Sequence, residues 1–183
     1  MRHEGSPRNH ENTKRDLYKN RFVLSCFRGS SILLVVAVAA CAPAPQTGNT
    51  PTAGSAMSRT IVDPYLKIQA ALADDSTEGV HSNAAGIVTA ATALGSPAMK
   101  IDTAALQLAA ASEAQPPDIN DVREKFGTLS DAIDGYMTGL HLVPPDGVKV
   151  ASCPMVKKPW MQEGNAIANP YYGKEMLTCG SFR

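Results

Sequence analysis

Apolar residues recur at every third or fourth position along four stretches between residues 59 and 143, which is the period of an amphipathic α-helix. The positions that carry this period are Ile61, Tyr65, Ile68 and Leu72; Val80, Ala84, Ile87, Val88, Ala91 and Leu94; the Ala-rich run from Asp102 to Ala114; and Ile119, Val122, Phe126, Leu129, Ile133, Met137 and Leu140. Short connections between such helices favour antiparallel neighbours. The pattern therefore predicts a mainly α fold, with an antiparallel up-down four-helix bundle over residues 59–143.

Prolines and short polar residues predict where these helices begin. Pro64 is tolerated in a first helical turn, so we expect the first helix to start near Asp63. Asp75 or Ser76 is the expected N-cap of the second helix and Asp118 that of the fourth. Such side chains accept hydrogen bonds from the free N–H groups at a helix start.

The helical period stops at residue 144, and the remaining segment has too few apolar residues to form a core of its own. "PPDGVKVAS" predicts a turn followed by a short extended piece, and "NPYYG" is typical of a turn. "KEMLTCG" predicts one short helix that ends at Gly180. We therefore expect residues 144–183 to form a short irregular C-terminal lid (short strand, turn, short helix) packed on the bundle.

The N-terminal 40 residues have the pattern of an export signal. Basic residues precede "ILLVVAVAA", an apolar run shorter than the roughly 20 residues that a membrane span needs. The sequence "VAAC" that follows resembles the lipobox of bacterial lipoproteins. The resemblance implies that Cys41 is lipidated and that the protein is exported to the periplasm and anchored to a membrane, the outer membrane in preference to the inner. The alternative is an ordinary secretory signal in which Cys41 has no role.

Residues 41–58 contain no charged side chain and are rich in Pro, Gly, Ala, Ser and Thr. Such a composition cannot bury a core and predicts a flexible tether. The expected organisation is thus a signal over 1–40, a tether over 41–58, a helical body over 59–143 and a sulfur-bearing tail over 144–183.

Net charge and the absence of known catalytic motifs narrow the classes of function that the sequence allows. The chain of 183 residues has a formal net charge of zero, which argues against nucleic-acid binding by phosphate neutralisation. Residues 41–146 carry five Lys or Arg against twelve acids, whereas residues 147–183 carry five against two. No phosphate-binding loop, HExxH zinc helix or GxSxG elbow occurs in the sequence. We therefore expect a protein that is not an enzyme.

Sulfur is concentrated in the tail. Cys26 lies within the signal and Cys41 would be lipidated, so Cys153 and Cys179 are the remaining thiols, and Met155 and Met176 stand near them. Met176 and Cys179 would share one side of a helix, and Cys153 and Met155 one face of a strand. Two thiols and two thioethers that converge would select Cu(I). The alternative is a Cys153–Cys179 disulfide, worth about 3 kcal/mol for a loop of roughly 25 residues.

The tail motif "CPM", "W-x-Q" and "I-x-NPYYG-x-x-M-x-x-CG" resembles an uncharacterised bacterial domain family. That family occurs as short periplasmic proteins and as an extension on membrane-fusion subunits of heavy-metal efflux systems. The resemblance spans about residues 60–183 and also includes Tyr65, Leu66, Ile68, Ala71, Leu72, Ala73, Asp75, Arg123, Phe126, Leu129 and Ser130.

This resemblance implies a metal-handling role, above all for copper, and an efflux membrane-fusion subunit as a partner. The implied ligands are Cys153, Met155, Met176 and Cys179. Ser152 stands where the family often has His, which removes one nitrogen ligand. Met161 stands where the family commonly has Leu, which indicates a core residue.

Two histidines, His141 and His81, are candidates for further ligands. His141 ends the fourth predicted helix and is a candidate additional ligand, although a histidine there also suits the helix dipole. His81 lies beside the apolar face of the second helix and has a weaker claim.

Overall fold

A computed structural model describes residues 54–183, which form four helices and three short strands. The helices are α1 (Arg59–Ala73), α2 (Val80–Leu94), α3 (Met99–Ala111) and α4 (Ile119–Gly139), and the strands are β1 (Val148–Cys153), β2 (Lys158–Glu163) and β3 (Ser181–Phe182). The mainly α fold is confirmed, and it ends in a small antiparallel sheet. The predicted signal and Cys41 lie outside the described residues.

Each helix packs against the next one along the chain, and β2 packs against both α1 and α4. The predicted apolar faces form the core. Its fully buried large side chains are Met57, Ile61, Tyr65, Ile68, Leu72, Ile87, Ile101, Leu108, Phe126, Leu129, Ile133 and Trp160. The buried alanines of α2 and α3, such as Ala84, Ala91 and Ala105, allow these two helices to approach closely.

The start of α1 differs from the prediction. This helix begins at Arg59 and not near Asp63, so Pro64 lies in its second turn. A residue other than proline would donate its N–H to the carbonyl of Thr60. Because Thr60 is exposed, water can bond that carbonyl, and proline is tolerated one turn further inside the helix than expected.

The cap predicted for α2 is also wrong. The helix begins at Val80 with Gly79 in the N-cap position. The carboxylate of Asp75 contacts the guanidinium of Arg123 at 2.5 Å and is therefore engaged elsewhere, and Ser76 lies too early in the loop.

The start of α3 differs from the prediction, and the start of α4 agrees with it. α3 begins at Met99 and not at Asp102, because a 3-10 turn at Ser96–Ala98 leads directly into it. Asp118 caps α4 as predicted, since its carboxylate accepts a hydrogen bond from the N–H of Asn120 at 2.9 Å.

The three strands form an antiparallel sheet in the order β2–β1–β3. β1 pairs with β2 from Val148 opposite Glu163 to Cys153 opposite Lys158. The pattern predicted only the first of these strands. The predicted helix over "KEMLTCG" is wrong, because only a 3-10 turn at Gly173–Glu175 forms before the chain extends into β3.

Residues 54–58, which the composition assigns to the tether, are packed against the end of α4. The side chain of Met57 is buried, and its N–H donates to the carbonyl of Val143 at 2.9 Å. Ala56 forms a parallel bridge with Val143, and the N–H of Gly54 donates to the carbonyl of His141 at 2.7 Å. Over the residues that the structure describes, no helix is both long enough and apolar enough to cross a membrane.

Candidate functional site

The sheet brings the two tail cysteines together. Cys153 ends β1, and β3 runs antiparallel beside that strand with Ser152 opposite Ser181. Continuing this register sets Gly180 opposite Cys153, so Cys179 lies diagonally next to it. Cys153 is 1% exposed, whereas Cys179 is half-buried. The site is therefore a pair of neighbouring thiols of which one reaches solvent.

Both cysteines are free thiols. Burial raises the pKa of the Cys179 thiol above its ordinary value, and the adjacent Cys153 raises this pKa further because two thiolates side by side repel each other. Cys179 is therefore protonated at neutral pH in the free protein.

Asn169 is completely buried and joins the two cysteines. Its Nδ2 donates to Sγ of Cys153 at 3.4 Å and to the carbonyl of Cys179 at 2.7 Å. Its Oδ1 accepts from the N–H of Tyr171 at 2.8 Å. Both amide hydrogens and the amide oxygen have partners, so this side chain fixes the geometry of the thiol pair without leaving a buried polar atom unpaired.

The "W-x-Q" motif holds the loop that leads to Asn169. Trp160 and Gln162 alternate along β2 and point to the same face. Oε1 of Gln162 accepts from Nε1 of Trp160 at 2.9 Å and from the N–H of Ala168 at 3.0 Å, while Nε2 donates to the carbonyl of Ala166 at 2.6 Å. The side chains of this motif therefore position the loop that carries Asn169.

Arg123 ties the other end of this loop to the helices. Its Nε donates to the carbonyl of Pro170 at 3.0 Å, and one terminal nitrogen donates to the carbonyl of Leu72 at 2.9 Å and to the carboxylate of Asp75 at 2.5 Å. The guanidinium is well shielded from solvent, with 12% of its side chain exposed. It joins the end of α1, the start of α4 and the tail.

Gly173 completes this network. Its φ is +55°, and a Cβ there would overlap the Asp75 carboxylate and the Arg123 guanidinium. The N–H of Lys174 donates to the same carboxylate at 3.2 Å. The last glycine of "NPYYG" is therefore required both by its backbone conformation and by the close approach of the ion pair.

Replacing Asp75 by asparagine tests this network through pH. The hydrogen bond from Arg123 holds the pKa of the Asp75 carboxyl below its ordinary value of 3.8. A depressed folded-state pKa gives stability that is fully present above the ordinary value and is lost as pH falls through the lowered one. At about pH 6 the wild type is expected to have a larger free energy of unfolding in urea than Asp75→Asn. This gap in free energy between the two proteins should close as pH falls below 3.8.

Glu78→Gln, which changes an exposed carboxyl in the same loop, is the control and should show no such gap. A gap for Asp75→Asn that does not change with pH would contradict the ion-pair assignment.

Four aromatic rings connect the helices to the tail. The ring of Tyr65 on α1 stacks on Phe126 of α4 at a centroid distance of 5.0 Å. Phe126 contacts Tyr171 at 5.9 Å, and Tyr171 meets Trp160 edge-on at 5.9 Å. The hydroxyl of Tyr171 donates to the carbonyl of Pro159. The tail is thus part of the core.

Gly180→Ala is expected to disturb the tail beside the thiol pair. A Cβ at this position would lie 2.5 Å from the Trp160 ring and 3.0 Å from the carbonyl oxygen of Ser152, at a φ of +147°. We expect a loss of about 1–3 kcal/mol in the free energy of unfolding and a red shift of the native Trp160 emission. Gly164→Ala is the matched control, because its φ is also positive but its Cβ would meet nothing within 4 Å. Equal losses and unchanged native emission in both variants would contradict the close contact.

The methionines are placed differently from the prediction. Met155 lies in the turn after β1, so it shares no strand face with Cys153, and it is 60% exposed. Met176 shares no helix with Cys179. The two are joined by a turn in which the N–H of Cys179 donates to the carbonyl of Met176 at 3.0 Å. Met176 is half-buried, and Met161 is buried in the core. Each candidate thioether therefore stands close in sequence to one thiol and at least partly in solvent.

His141 lies just past the C-terminal end of α4 and is exposed. Gly139 lies sixteen positions after Arg123 on this helix, a span of about 24 Å, and Arg123 is the residue that contacts the tail. The structure therefore holds His141 at the other end of α4 from the Arg123–Pro170 contact. His81 is exposed on α2, where its Nδ1 lies 3.0 Å from the carbonyl of Ala109.

Sequence reasoning missed Asn169 and Gln162 as the residues that build the site. The available signal was their position inside the "I-x-NPYYG" and "W-x-Q" motifs, flanked by aromatic residues. A polar side chain in such surroundings is buried only when it is hydrogen-bonded, which makes it a positioning group.

The donor set of the site is soft. Within residues 54–183, no three side chains of the His, Cys, Asp and Glu types are gathered into a metal-binding group. Zinc sites are typically built from four thiolate, imidazole or carboxylate ligands, of which this pair supplies two. Two neighbouring thiols with thioethers close by in the chain fit a soft ion such as Cu(I).

Comparison of the chain with protein-family models gives no match, and neither does comparison with curated proteins or with solved structures.

Proposed function

We propose that the protein is a non-enzymatic binding module that captures Cu(I), or a related soft metal ion, between Cys153 and Cys179. The observation that carries the proposal is the placement of a buried thiol beside a half-buried one by β1, β3 and Asn169. Thiolate is the ligand that soft ions prefer, and a buried site protects the bound ion from water.

Met155 and Met176 would act as additional thioether ligands beside the two thiols. Met155 and Met176 flank the two thiols in the sequence and are not buried in the bundle. Their thioethers would remain available to an ion that enters from the solvent side, where the half-buried Cys179 is accessible. Asn169 would position Cys153 and hold the backbone of Cys179.

Titration with Cu(I) against a competing chelator tests this function. The full chain is used in detergent with Cys26→Ser and Cys41→Ser, so that Cys153 and Cys179 are its only thiols. We expect one tightly bound Cu(I) per reduced chain, and we expect this binding to be lost in the Cys153→Ser/Cys179→Ser variant. Binding that survives in the variant, or reduced protein that binds no copper, would overturn the proposal.

Methionine variants resolve the supporting ligands. Met155→Leu and Met176→Leu conserve volume and should each weaken Cu(I) binding by about tenfold, because each removes one thioether ligand. Met99→Leu is the control, because Met99 is 61% exposed on α3 and should leave the affinity unchanged.

The second candidate function is that of an envelope structural or interaction protein stapled by a Cys153–Cys179 disulfide. It is favoured by the same adjacency, because paired cysteines in exported proteins are usually bridged. A protein that stays bridged under periplasm-like redox conditions, and binds no metal when reduced, would support this candidate instead.

We further propose the setting in which such a module would work. The helices form an antiparallel up-down four-helix bundle, and the chain is exported to the periplasm and anchored by lipid at Cys41, in the outer membrane in preference to the inner. The tail motif supports membership of the efflux-associated family and an efflux membrane-fusion subunit as partner. The zero net charge supports the absence of a nucleic-acid partner.

A further inference from the structure

The two thiols differ in their access to solvent. Cys153 is the last residue of β1 and is 1% exposed, so a reagent in solution does not reach its sulfur. Cys179 is half-buried and follows Leu177 and Thr178, which are both exposed. The chain therefore presents one accessible thiol with a second one directly behind it.

The backbones of both cysteines are held in place. The carbonyl of Cys153 accepts from the N–H of Lys157 at 2.9 Å, and the N–H of Cys179 donates to Met176 at 3.0 Å. Asn169 bonds the carbonyl of Cys179 and the sulfur of Cys153 from one amide nitrogen. Because these contacts restrain both residues, a reaction between the two sulfurs would be intramolecular with little chain entropy to lose.

We propose that Cys179 is a site of S-thiolation by low-molecular-weight disulfides and that Cys153 is the thiol that resolves the adduct. The pair would then be an exchange-competent dithiol with fixed roles, and not a permanent staple. This inference does not depend on metal binding.

The reaction has two balanced exchange steps. In the first, Cys179 loses its proton and the resulting thiolate attacks one sulfur of a small disulfide, so that a Cys179–S bond forms, the small disulfide bond breaks, and one small thiolate leaves and takes up that proton. In the second, Cys153 loses its proton and the resulting thiolate attacks Sγ of Cys179, so that the Cys153–Cys179 bond forms, the bond between Cys179 and the small thiol breaks, and the second small thiolate leaves and takes up that proton. Two protein thiols are oxidised, and one small disulfide is reduced to two thiols.

Intact-mass spectrometry with oxidised glutathione tests these roles. The full chain in detergent, with Cys26→Ser and Cys41→Ser, is compared with versions that also carry Cys153→Ser or Cys179→Ser. Cys153→Ser should accumulate a stable adduct of one glutathione on Cys179. Cys179→Ser should form the adduct on Cys153 at least about tenfold more slowly, because that thiol is buried. The chain with both thiols should pass to the internal disulfide and release two glutathione molecules without accumulating the adduct.

Equal adduct rates in the two single-thiol chains would overturn the assignment of entry and resolving thiols, as would an adduct that persists when both thiols are present. Urea unfolding followed by Trp160, the single tryptophan, establishes that each variant is folded. If the reduced chain binds no Cu(I) but shows the expected adducts, only the metal function is disproved. If it binds Cu(I) but does not show the expected adducts, only the thiol roles are disproved.

Discussion

Phe126→Ala is expected to lower the free energy of unfolding by about 3–5 kcal/mol, among the largest losses from a single substitution in this chain. Phe126 is completely buried between Tyr65 and Tyr171, so its removal leaves a cavity where α1, α4 and the tail meet. The surrounding rings cannot close this cavity, because hydrogen bonds hold the hydroxyl of Tyr65 to Ser130 and that of Tyr171 to Pro159.

Urea unfolding monitored by the emission of Trp160 measures the loss. Leu106→Ala is the matched control, since Leu106 is 53% exposed on α3 and its truncation should cost within about 0.5 kcal/mol. If both variants lost less than about 1 kcal/mol, Phe126 would not be the junction between the helices and the tail.

Asn169→Ala is expected to cost about 2–4 kcal/mol and to loosen the thiol pair. The substitution removes three hydrogen bonds and leaves the N–H of Tyr171 and the carbonyl of Cys179 without their partner in a buried setting. Cys153 also loses the donor that faces its sulfur at 3.4 Å. Closure of the Cys153–Cys179 disulfide by oxidised glutathione should therefore become slower.

Asn165→Ala is the matched control, because it makes the same asparagine-to-alanine change at an exposed position. Asn165 is exposed in the loop after β2, where it accepts a hydrogen bond from Lys149 at 2.5 Å, so its loss should cost within about 0.5 kcal/mol and leave disulfide closure unchanged. Normal disulfide closure in Asn169→Ala would mean that the strands alone align the sulfurs.

The helices were predictable because their signal is local. Most residues on the faces that the period identifies, such as Ile68, Ile87 and Leu129, are buried. The starts of α1 and α3 were placed wrongly for local reasons, the exposed carbonyl of Thr60 and the 3-10 turn at Ser96–Ala98. The start of α2 was placed wrongly because the competing interaction comes from a residue far away in the sequence. Asp75 is an ordinary cap residue when only its neighbours are considered, but its carboxylate is taken by Arg123 from α4.

The sheet could not be predicted by the same means. β2 has consecutive buried residues at Trp160, Met161 and Gln162, so it lacks the alternation that identifies a strand, and it contains Pro159. β3 has two residues and owes its conformation to pairing with β1. The thiol pair depends on that long-range strand pairing. The sequence therefore identified Cys153 and Cys179 as candidates but could not predict that they are neighbours.

The ligands of Cu(I) bound to the reduced full chain, measured by X-ray absorption in the Cys26→Ser/Cys41→Ser background, test the central claim most directly. We expect a shell made of sulfur, which disappears in the Cys153→Ser/Cys179→Ser variant and keeps its thiolates in Met155→Leu and Met176→Leu. A shell of nitrogen or oxygen, or an unchanged spectrum after both cysteines are replaced, would contradict it.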